Sequence, residues 1–271
     1  DPGDELGYSV ASAGDVDDDG HPDLIFGAIY DSSGKSAGGS ARVVSGRTGA
    51  ILHTFFPLAV GDGLGCSVAG AGDVDGDGHD DLIVGAWAED HQGKPDAGTA
   101  RVYSGKTGQQ LLLLRGENAY DWFGWSVDGA GDVNDDGWPD LVVGAPGFGP
   151  ANAGRVRVFS GRDGAVLRTF ADPNLRSLGW SVAGAGDVDQ DGRADVLAGA
   201  PATDVQGANA VGSALVYSSL RGQVLYRWNG MRDGDNFGLS VAAAGDVNAD
   251  GRADLIVGAP DEEAPTTHNS G

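Results

Sequence analysis

Five nine-residue strings rich in carboxylate and amide side chains recur along the chain at intervals of 55 to 59 residues. The strings are DVDDDGHPD at 15–23, DVDGDGHDD at 73–81, DVNDDGWPD at 132–140, DVDQDGRAD at 187–195 and DVNADGRAD at 246–254. Places 1, 3, 5 and 9 of each string are acidic or amide, and eighteen of the forty acidic residues lie at these places. Carboxylates this close repel one another unless a cation lies between them. The strings therefore predict cation-binding loops.

Oxygen donors alone make up the expected ligand set, which favours Ca²⁺ over zinc or copper. The side chains at places 1, 3, 5 and 9 and the main-chain carbonyl of place 7 give five ligand groups, and glycine at place 6 allows a sharp turn. We predict up to five Ca²⁺ ions. The predicted ligand residues are Asp15, Asp17, Asp19, His21 and Asp23; Asp73, Asp75, Asp77, His79 and Asp81; Asp132, Asn134, Asp136, Trp138 and Asp140; Asp187, Asp189, Asp191, Arg193 and Asp195; and Asp246, Asn248, Asp250, Arg252 and Asp254.

Two other interpretations of these strings are less favourable. An EF-hand needs Glu at place 12, where this chain has Phe26, Val84, Val143, Ala198 and Val257. Asp, Asn and Gly also form tight turns without metal, but five copies of one ligand pattern disfavour that explanation. Asn134 and Asn248 leave three carboxylates in the third and fifth loops, which we expect to bind Ca²⁺ more weakly than the others.

Short apolar segments separated by turn residues surround each acidic loop, and their composition is typical of β-strands. A G-x-S-V segment precedes the loop, and a D-L-x-x-G-A segment begins at place 9. Two further segments follow in the first four repeats, as in ARVYSG at 100–105 and QLLLLR at 110–115. Four strands in about 58 residues predict an all-β protein, a β-propeller of four-stranded antiparallel blades. Separate sandwich domains are disfavoured, because one repeat is too small to bury a core alone.

The chain of 271 residues is predicted to hold one propeller at 1–260 and a polar C-terminal tail at 261–271. The repeats are placed at about 5–62, 63–121, 122–176, 177–235 and 236–260, and the fifth contains only the first two strands. Either the ring closes on a two-stranded blade, or further blades lie outside this sequence.

Bulk composition restricts the partners. A net charge of −23 disfavours nucleic acid and anionic membrane surfaces, which attract basic proteins. No apolar run approaches the ~20 residues of a membrane-spanning helix, so we expect no membrane insertion. Cys66 is the single cysteine and cannot form a disulfide within the chain. It occupies the place of Trp125 and Trp180 in other repeats, and we expect it to pack as an apolar residue.

These repeats resemble FG-GAP repeats, the units of the integrin α-subunit propeller and of many secreted bacterial proteins. The "FG" pair corresponds to Phe123-Gly124 and Phe237-Gly238, and the "GAP" string lies at 144–146, 199–201 and 258–260. The resemblance implies that the metal loops share one face of the propeller and that partners bind the opposite face. Integrin propellers have seven blades, whereas this sequence contains four complete repeats and half of a fifth.

We expect a secreted or cell-surface, Ca²⁺-stabilised module for protein binding or adhesion, with its partner at the connections 29–40, 87–98, 117–122, 147–153 and 202–212. The alternatives are a carbohydrate-binding propeller and the accessory domain of a secreted enzyme. Trp87, Trp122 and Phe148 either face a partner or pack between blades. We expect no enzyme activity, because the serine of G-x-S-V recurs as a strand residue. His53, His91 and His268 are expected to be ordinary surface residues.

Overall fold

A computed structural model describes residues 3–32, 38–205 and 207–261, which form four four-stranded antiparallel sheets and one two-stranded sheet. We call each sheet a blade and number the blades along the chain. Blade 1 contains β1 (Leu6–Gly14), β2 (Asp23–Ala28), β3 (Ser40–Val44) and β4 (Ile51–Phe55); blade 2 contains β5 (Leu64–Gly72), β6 (Asp81–Ala86), β7 (Thr99–Tyr103) and β8 (Gln110–Arg115). Blade 3 contains β9 (Ser126–Gly131), β10 (Asp140–Ala145), β11 (Arg155–Phe159) and β12 (Val166–Phe170); blade 4 contains β13 (Ser181–Gly186), β14 (Asp195–Ala200), β15 (Ser213–Tyr217) and β16 (Val224–Asn229); blade 5 contains β17 (Ser240–Gly245) and β18 (Asp254–Gly258).

Sequence-predicted strands agree with these bounds to within about two residues at each end. Within a blade, each strand pairs with the next along the chain, as expected for strands joined by short connections. The described residues contain no α-helix, only a 3₁₀ turn at Pro150–Asn152. The all-β prediction is therefore confirmed.

The first strands of consecutive blades contact one another, β1 with β5, β5 with β9, β9 with β13 and β13 with β17. All five line a single cavity of about 500 Å³. The blades are therefore arranged around a common axis, and the propeller prediction is confirmed.

The hydrophobic core lies between blades, in layers built from the facing sides of two neighbouring sheets. Between blades 1 and 2, Ile25 and Val43 pack against Leu82, and all three are buried. The ring of Phe55 in β4 stacks on Tyr103 in β7 with centroids 4.0 Å apart. Phe170 stacks in the same way on Tyr217 of the following blade, at 4.4 Å. A blade that lies between two others thus buries one of its faces against each neighbour, as stacked repeats must.

Glycine is required where the second strand of one blade meets the first strand of the next. A Cβ on Gly85 would lie 2.0 Å from the carbonyl oxygen of Gly124 in the neighbouring blade. The corresponding distance from Gly144 to the Gly179 oxygen is also 2.0 Å. This contact explains the glycine of the D-L-x-x-G-A segment and the first glycine of the G-x-S-V segment, because any side chain here would push two blades apart.

The repeated serine of the first strand connects each blade to the next by a hydrogen bond. Ser67 Oγ accepts the Val127 N–H, Ser126 Oγ accepts the Val182 N–H and Ser181 Oγ accepts the Val241 N–H, each at 3.0 Å. Ser9 Oγ instead donates to the Gly65 carbonyl at 2.8 Å. The sequence-based prediction of a strand role for this serine is confirmed, and the structure adds its inter-blade bond.

Equivalent core positions are exposed in the first and last blades. Val10 is 61% exposed against 5% for Val68, and Ile256 is 61% exposed against 0% for Val142. Trp228 in β16 is 42% exposed, whereas its counterpart Phe170 is 4% exposed. The described blades therefore do not form a closed ring. Closure through the two-stranded blade was the first of the two arrangements that the sequence allowed, and the structure does not show it.

Replacing Ser126 with alanine should lower the free energy of unfolding by about 1 to 2 kcal/mol, because the buried Val182 N–H loses its acceptor. Chemical denaturation followed by circular dichroism measures the loss. Ser240→Ala is the matched control, since Ser240 holds the same place in blade 5 and is exposed. Equal losses in the two variants would contradict the assigned bond.

Candidate metal centres

Each acidic loop is a turn capped by its own first residue. Asp15 Oδ1 accepts the Asp19 N–H at 3.0 Å, and its Oδ2 accepts the Gly20 N–H at 2.9 Å. The corresponding pair of bonds forms at the first residue of all five loops. Place 4 has positive φ, and the place-6 glycines have φ between 83° and 92°. The glycines therefore provide the turn that the sequence predicted.

The ninth residue of the loop joins the loop to the outer half of its blade. Asp81 is fully buried; its Oδ2 accepts the Val74 N–H at 2.8 Å and its Oδ1 accepts the Gly105 N–H, just after β7, at 2.9 Å. Asp23, Asp140 and Asp195 are equally buried and accept the equivalent two bonds. This residue is structural as well as a predicted metal ligand.

Three carboxylates converge in each of the first, second and fourth loops. Each residue offers one oxygen, and the three oxygens of a group lie within 4.8 Å of one another. Oxygens on opposite sides of a Ca²⁺ ion are separated by at most about 5 Å, so the donor set and its spacing fit this ion. The groups are Asp15, Asp17 and Asp19; Asp73, Asp75 and Asp81; and Asp187, Asp189 and Asp195.

Of the predicted side-chain ligands in these loops, Asp23, Asp77 and Asp191 lie outside the three groups. The third and fifth loops, where asparagine replaces one carboxylate, form no such group among the described residues. Asn134 Nδ2 instead donates to Asp136 Oδ2 at 2.9 Å, and Asn248 Nδ2 lies 3.4 Å from Asp254 Oδ1. The amides thus lie beside carboxylates of their own loops, and weaker calcium binding by these two loops stays a prediction.

Burial changes the acidity of the ninth residue. Desolvation raises the pKa of Asp81, Asp140 and Asp195 to about 6, although two N–H donors to each carboxylate oppose the shift. The pKa of Asp17 is raised by desolvation and by the charges of Asp23, Asp19 and Asp15. Desolvation also acts on Asp132, but the four loop N–H groups outweigh it and lower its pKa. Without a cation, Asp81, Asp140 and Asp195 therefore ionise less readily than aspartate in water.

Basic side chains beside the loops were missed by the sequence reasoning. Arg221, in the turn after β15, forms an ion pair with Asp189 and lies 4.0 Å from Asp191 Oδ2. Lys106 occupies the corresponding turn of blade 2, with Nζ 3.9 Å from Asp77 Oδ2. A basic residue two or three places after the serine that follows the third strand was the available signal, as in SGKTG at 104–108 and SSLRG at 218–222.

The connections from second to third strand and from fourth to first strand meet at the opposite end of the blades. Trp122 N–H donates to the Asp96 carbonyl, and Gly147 N–H donates to the Asp121 carbonyl. The metal loops instead contact the turns between third and fourth strands. The two faces that the resemblance implied are therefore both present.

Four tryptophans form one cluster at this second face. The ring centroids of Trp87 and Trp125 are 5.4 Å apart, those of Trp122 and Trp125 are 5.9 Å apart, and those of Trp125 and Trp180 are 4.6 Å apart. The Phe148 ring lies under the Arg155 guanidinium at 3.9 Å. Of the two roles considered for Trp87, Trp122 and Phe148, the structure shows packing contacts.

Cys66 is buried, and its thiol donates to the Gly124 carbonyl at 3.2 Å. Burial raises the pKa of this thiol to about 12, so the predicted packing role is confirmed. His53 and His91 are half-buried at the surface, and their Nε2 atoms contact the carbonyls of Gly105 and Gly116. His53 thereby connects β4 to the turn after β7, and His91 connects the β6–β7 connection to the residue just after β8. His268 lies outside the described residues.

Sequence reasoning also missed buried aspartates three residues before the first-strand glycine. Asp121 Oδ2 accepts the Asn118 N–H at 3.0 Å, and Asp235 Oδ2 accepts the Met231 and Arg232 N–H groups at 2.8 Å. Asp62 accepts the Ala59 N–H in the same manner. Each of these aspartates lies three places before the glycine, and this spacing is visible in the sequence. The sequence reasoning assigned roles only to the acidic residues of the metal loops.

Comparison with known proteins agrees with this architecture. The family model described as FG-GAP repeat matches residues 67–103, 123–159, 178–217 and 237–269, together more than half of the chain. The chain therefore belongs to the FG-GAP repeat family.

Curated relatives are integrin alpha subunits. Integrin alpha pat-2 of Caenorhabditis briggsae is 30% identical over 251 residues, covering 79% of this chain and 20% of the relative. Integrin alpha-5 of Xenopus laevis is 30% identical over 218 residues, covering 73% of this chain and 20% of the relative. Integrin alpha-IIb of Homo sapiens is 35% identical over 175 residues, covering 59% of this chain and 16% of the relative. The chain spans about a fifth or less of the length of these relatives.

Within the described ranges, no helix combines the length and the apolar character needed to cross a bilayer.

The raised pKa values of the ninth residues predict how pH changes the melting temperature of the metal-free protein and the further gain that calcium gives. A carboxyl whose pKa is about 6 when folded and about 4 when unfolded stabilises the fold most below pH ~4, and this contribution is lost as pH rises through 6. Metal-free protein should therefore gain melting temperature as pH falls from about 7.5 to about 5. Calcium needs the ionised form, so the gain in melting temperature that calcium gives should shrink over the same range.

Differential scanning calorimetry of metal-stripped protein, with and without added calcium, measures both trends. A gain from calcium that stays constant down to about pH 5 would contradict the assignment of the buried aspartates as ligands.

Proposed function

We propose that this chain is an extracellular, calcium-stabilised propeller that serves as a protein-binding or adhesion module. The observation that carries the proposal is the convergence of three carboxylate oxygens within 4.8 Å in three separate loops of an FG-GAP fold. The integrin alpha relatives support the adhesion role and the extracellular or cell-surface location.

In this proposal calcium has a structural role. Bound Ca²⁺ would neutralise carboxylates that otherwise repel one another, and in the second and fourth loops these include Asp81 and Asp195, which join the loop to the third strand. Because the unfolded chain has no assembled loop, binding free energy becomes folding free energy. Millimolar extracellular calcium is sufficient to fill sites of modest affinity. We propose up to five ions, with the carbonyl of place 7 as an additional ligand and the third and fifth loops as the weaker sites.

The partner would bind the face opposite the metal loops. That face carries the least repetitive connections and several exposed apolar side chains, among them Leu58, Val60 and Tyr120. Binding without catalysis is favoured, because the hydroxyls of Ser67, Ser126 and Ser181 all accept inter-blade N–H groups.

A pair of neighbouring aspartates tests the calcium sites. Both Asp17 and Asp18 are exposed, but only Asp17 contributes an oxygen to the first carboxylate group. Asp17→Asn should weaken one calcium site by about ten-fold and reduce the gain in melting temperature on calcium addition. Asp18→Asn is the matched control: it removes the same charge, and asparagine tolerates the positive φ of 56° at this residue.

Isothermal titration of metal-stripped protein and thermal melting in calcium or chelator measure these effects. Wild-type protein that shows neither heat nor a change in melting temperature would contradict calcium binding. Equal effects of the two substitutions would contradict the assigned ligand.

A binding screen tests the partner class. In millimolar calcium, the protein should bind at least one member of a panel of purified extracellular matrix proteins, and chelation should weaken binding because it loosens the blades. Tyr120→Asn should reduce binding about ten-fold, whereas Val166→Asn, an equally exposed apolar position on β12, should not. Binding only to a glycan array would favour the carbohydrate-binding alternative, and calcium-independent binding would contradict the proposal.

A further inference from the structure

The first and second acidic loops contact each other directly, through place 8 of the second loop. The Asp80 N–H donates to the Asp15 carbonyl at 3.3 Å, and Asp80 Oδ2 accepts the Asp15 N–H at 2.8 Å. A Cβ on Gly14 would lie 2.1 Å from the same Oδ2 atom, so glycine is needed for this approach. One residue of the second loop therefore holds both main-chain groups of the first residue in the first loop.

The residue before Asp80 adds a third contact between these two loops. His79 Nδ1 lies 2.9 Å from the Val16 carbonyl oxygen, and the imidazole donates because a carbonyl oxygen only accepts. The three contacts thus reach places 1 and 2 of the first loop from places 7 and 8 of the second. Both ends of the connection belong to metal centres: Asp15 lies in the first carboxylate group, and Asp81, directly after Asp80, lies in the second.

The carboxylate of Asp80 is specific to this pair of loops. Ala194, at place 8 of the fourth loop, donates its N–H to the Asp132 carbonyl at 3.1 Å but has no side-chain acceptor. Pro139, at place 8 of the third loop, has no N–H to donate. The preceding Trp138 instead packs on the second loop, where a Cβ on Gly76 would lie 2.6 Å from its ring. Place 8 in the other four loops is proline or alanine: Pro22, Pro139, Ala194 and Ala253.

We propose, on the basis of the calcium sites proposed above, that Asp80 is a positioning residue through which calcium in the second loop strengthens calcium binding in the first. The predicted ligands of the second loop include the His79 carbonyl and the Asp81 carboxylate, which lie on either side of Asp80. Filling the second loop would therefore fix Asp80, and Asp80 would fix the main chain of Asp15. The first loop then loses less conformational entropy when it binds its own ion. Repulsion between the two ions opposes this effect, and salt screens it because the loops lie at the surface.

Nuclear magnetic resonance measures the occupancy of each loop separately. Gly20, Gly78 and Gly192 each donate an N–H to the first residue of their own loop, so their amide signals report on the first, second and fourth loops. Calcium is titrated into the metal-stripped intact chain. Asp75→Asn weakens the second loop and should raise the calcium midpoint of Gly20 about five-fold. The midpoint of Gly192 should not change, because the fourth loop does not adjoin the second.

Two substitutions of Asp80 remove the same charge but differ in the acceptor. Asp80→Asn keeps an oxygen for the Asp15 N–H, and Asp80→Ala does not. The Gly20 shift caused by Asp75→Asn should persist with Asp80→Asn and largely disappear with Asp80→Ala. Alanine holds this place in the fourth and fifth loops, so we expect both variants to fold, and circular dichroism checks this.

Melting temperature provides a second measurement that needs no resolved spectrum of the metal-free protein. Asp17→Asn and Asp75→Asn should each reduce the gain in melting temperature that calcium gives. Each single variant already loses the coupling, so the loss in the double variant should be smaller than the sum of the two single losses. Strictly additive losses would contradict the coupling.

The outcomes separate the coupling from calcium binding itself. Glycine signals that respond to calcium, with a Gly20 midpoint that Asp75→Asn does not move, overturn the coupling and leave the proposed function standing. Equal midpoint shifts at Gly20 and Gly192 also overturn it, because a general loss of negative charge then explains both. Wild-type protein in which none of the three glycine signals responds to calcium overturns both proposals.

Discussion

Each complete blade depends on one buried carboxylate, that of the last residue in its acidic loop. Asp23, Asp81, Asp140 and Asp195 each accept one N–H from inside the loop and one from the end of the third strand. A single side chain therefore fixes the loop, the second strand that follows it and the third strand of the sheet. Burying a negative charge here is costly unless hydrogen bonds or a cation compensate for it.

This constraint connects the metal centres to the propeller. In the second and fourth loops the carboxylate group includes this buried residue, so a cation bound there would stabilise a group to which the sheet is already attached. The blades are joined at the axis by serine hydroxyls and by glycine contacts, and farther out by stacked aromatic rings. In blade 5, where the described residues form no third strand, Oδ1 of Asp254 has only a long contact with Asn248 Nδ2, and the bonds within the loop are kept.

Much of this architecture could be predicted from the sequence, because the repeat displays it five times. Strand positions, the glycine turn and the convergence of carboxylates follow from local patterns; the structure agrees with the first two and shows the convergence in three of the five loops. The buried aspartates Asp121 and Asp235 could have been found from their spacing of three residues before the first-strand glycine, but acidic residues near loops are usually exposed. The contact of Arg221 with Asp189 depends on which turns meet within blade 4. The bond from Ser126 to the next blade and the contact of His53 with Gly105 depend on which segments meet between blades. A one-dimensional pattern does not contain that information.

Calcium at the carboxylate groups is the central claim, and diffraction tests it most directly. Crystals grown in calcium and measured at a long X-ray wavelength would give anomalous peaks at bound ions. The account predicts peaks between the oxygens of Asp15, Asp17 and Asp19 and at the equivalent groups of the second and fourth loops, with Asp81 and Asp195 keeping their N–H donors. Absence of peaks at all three groups, with the carboxylates turned away from one another, would contradict it.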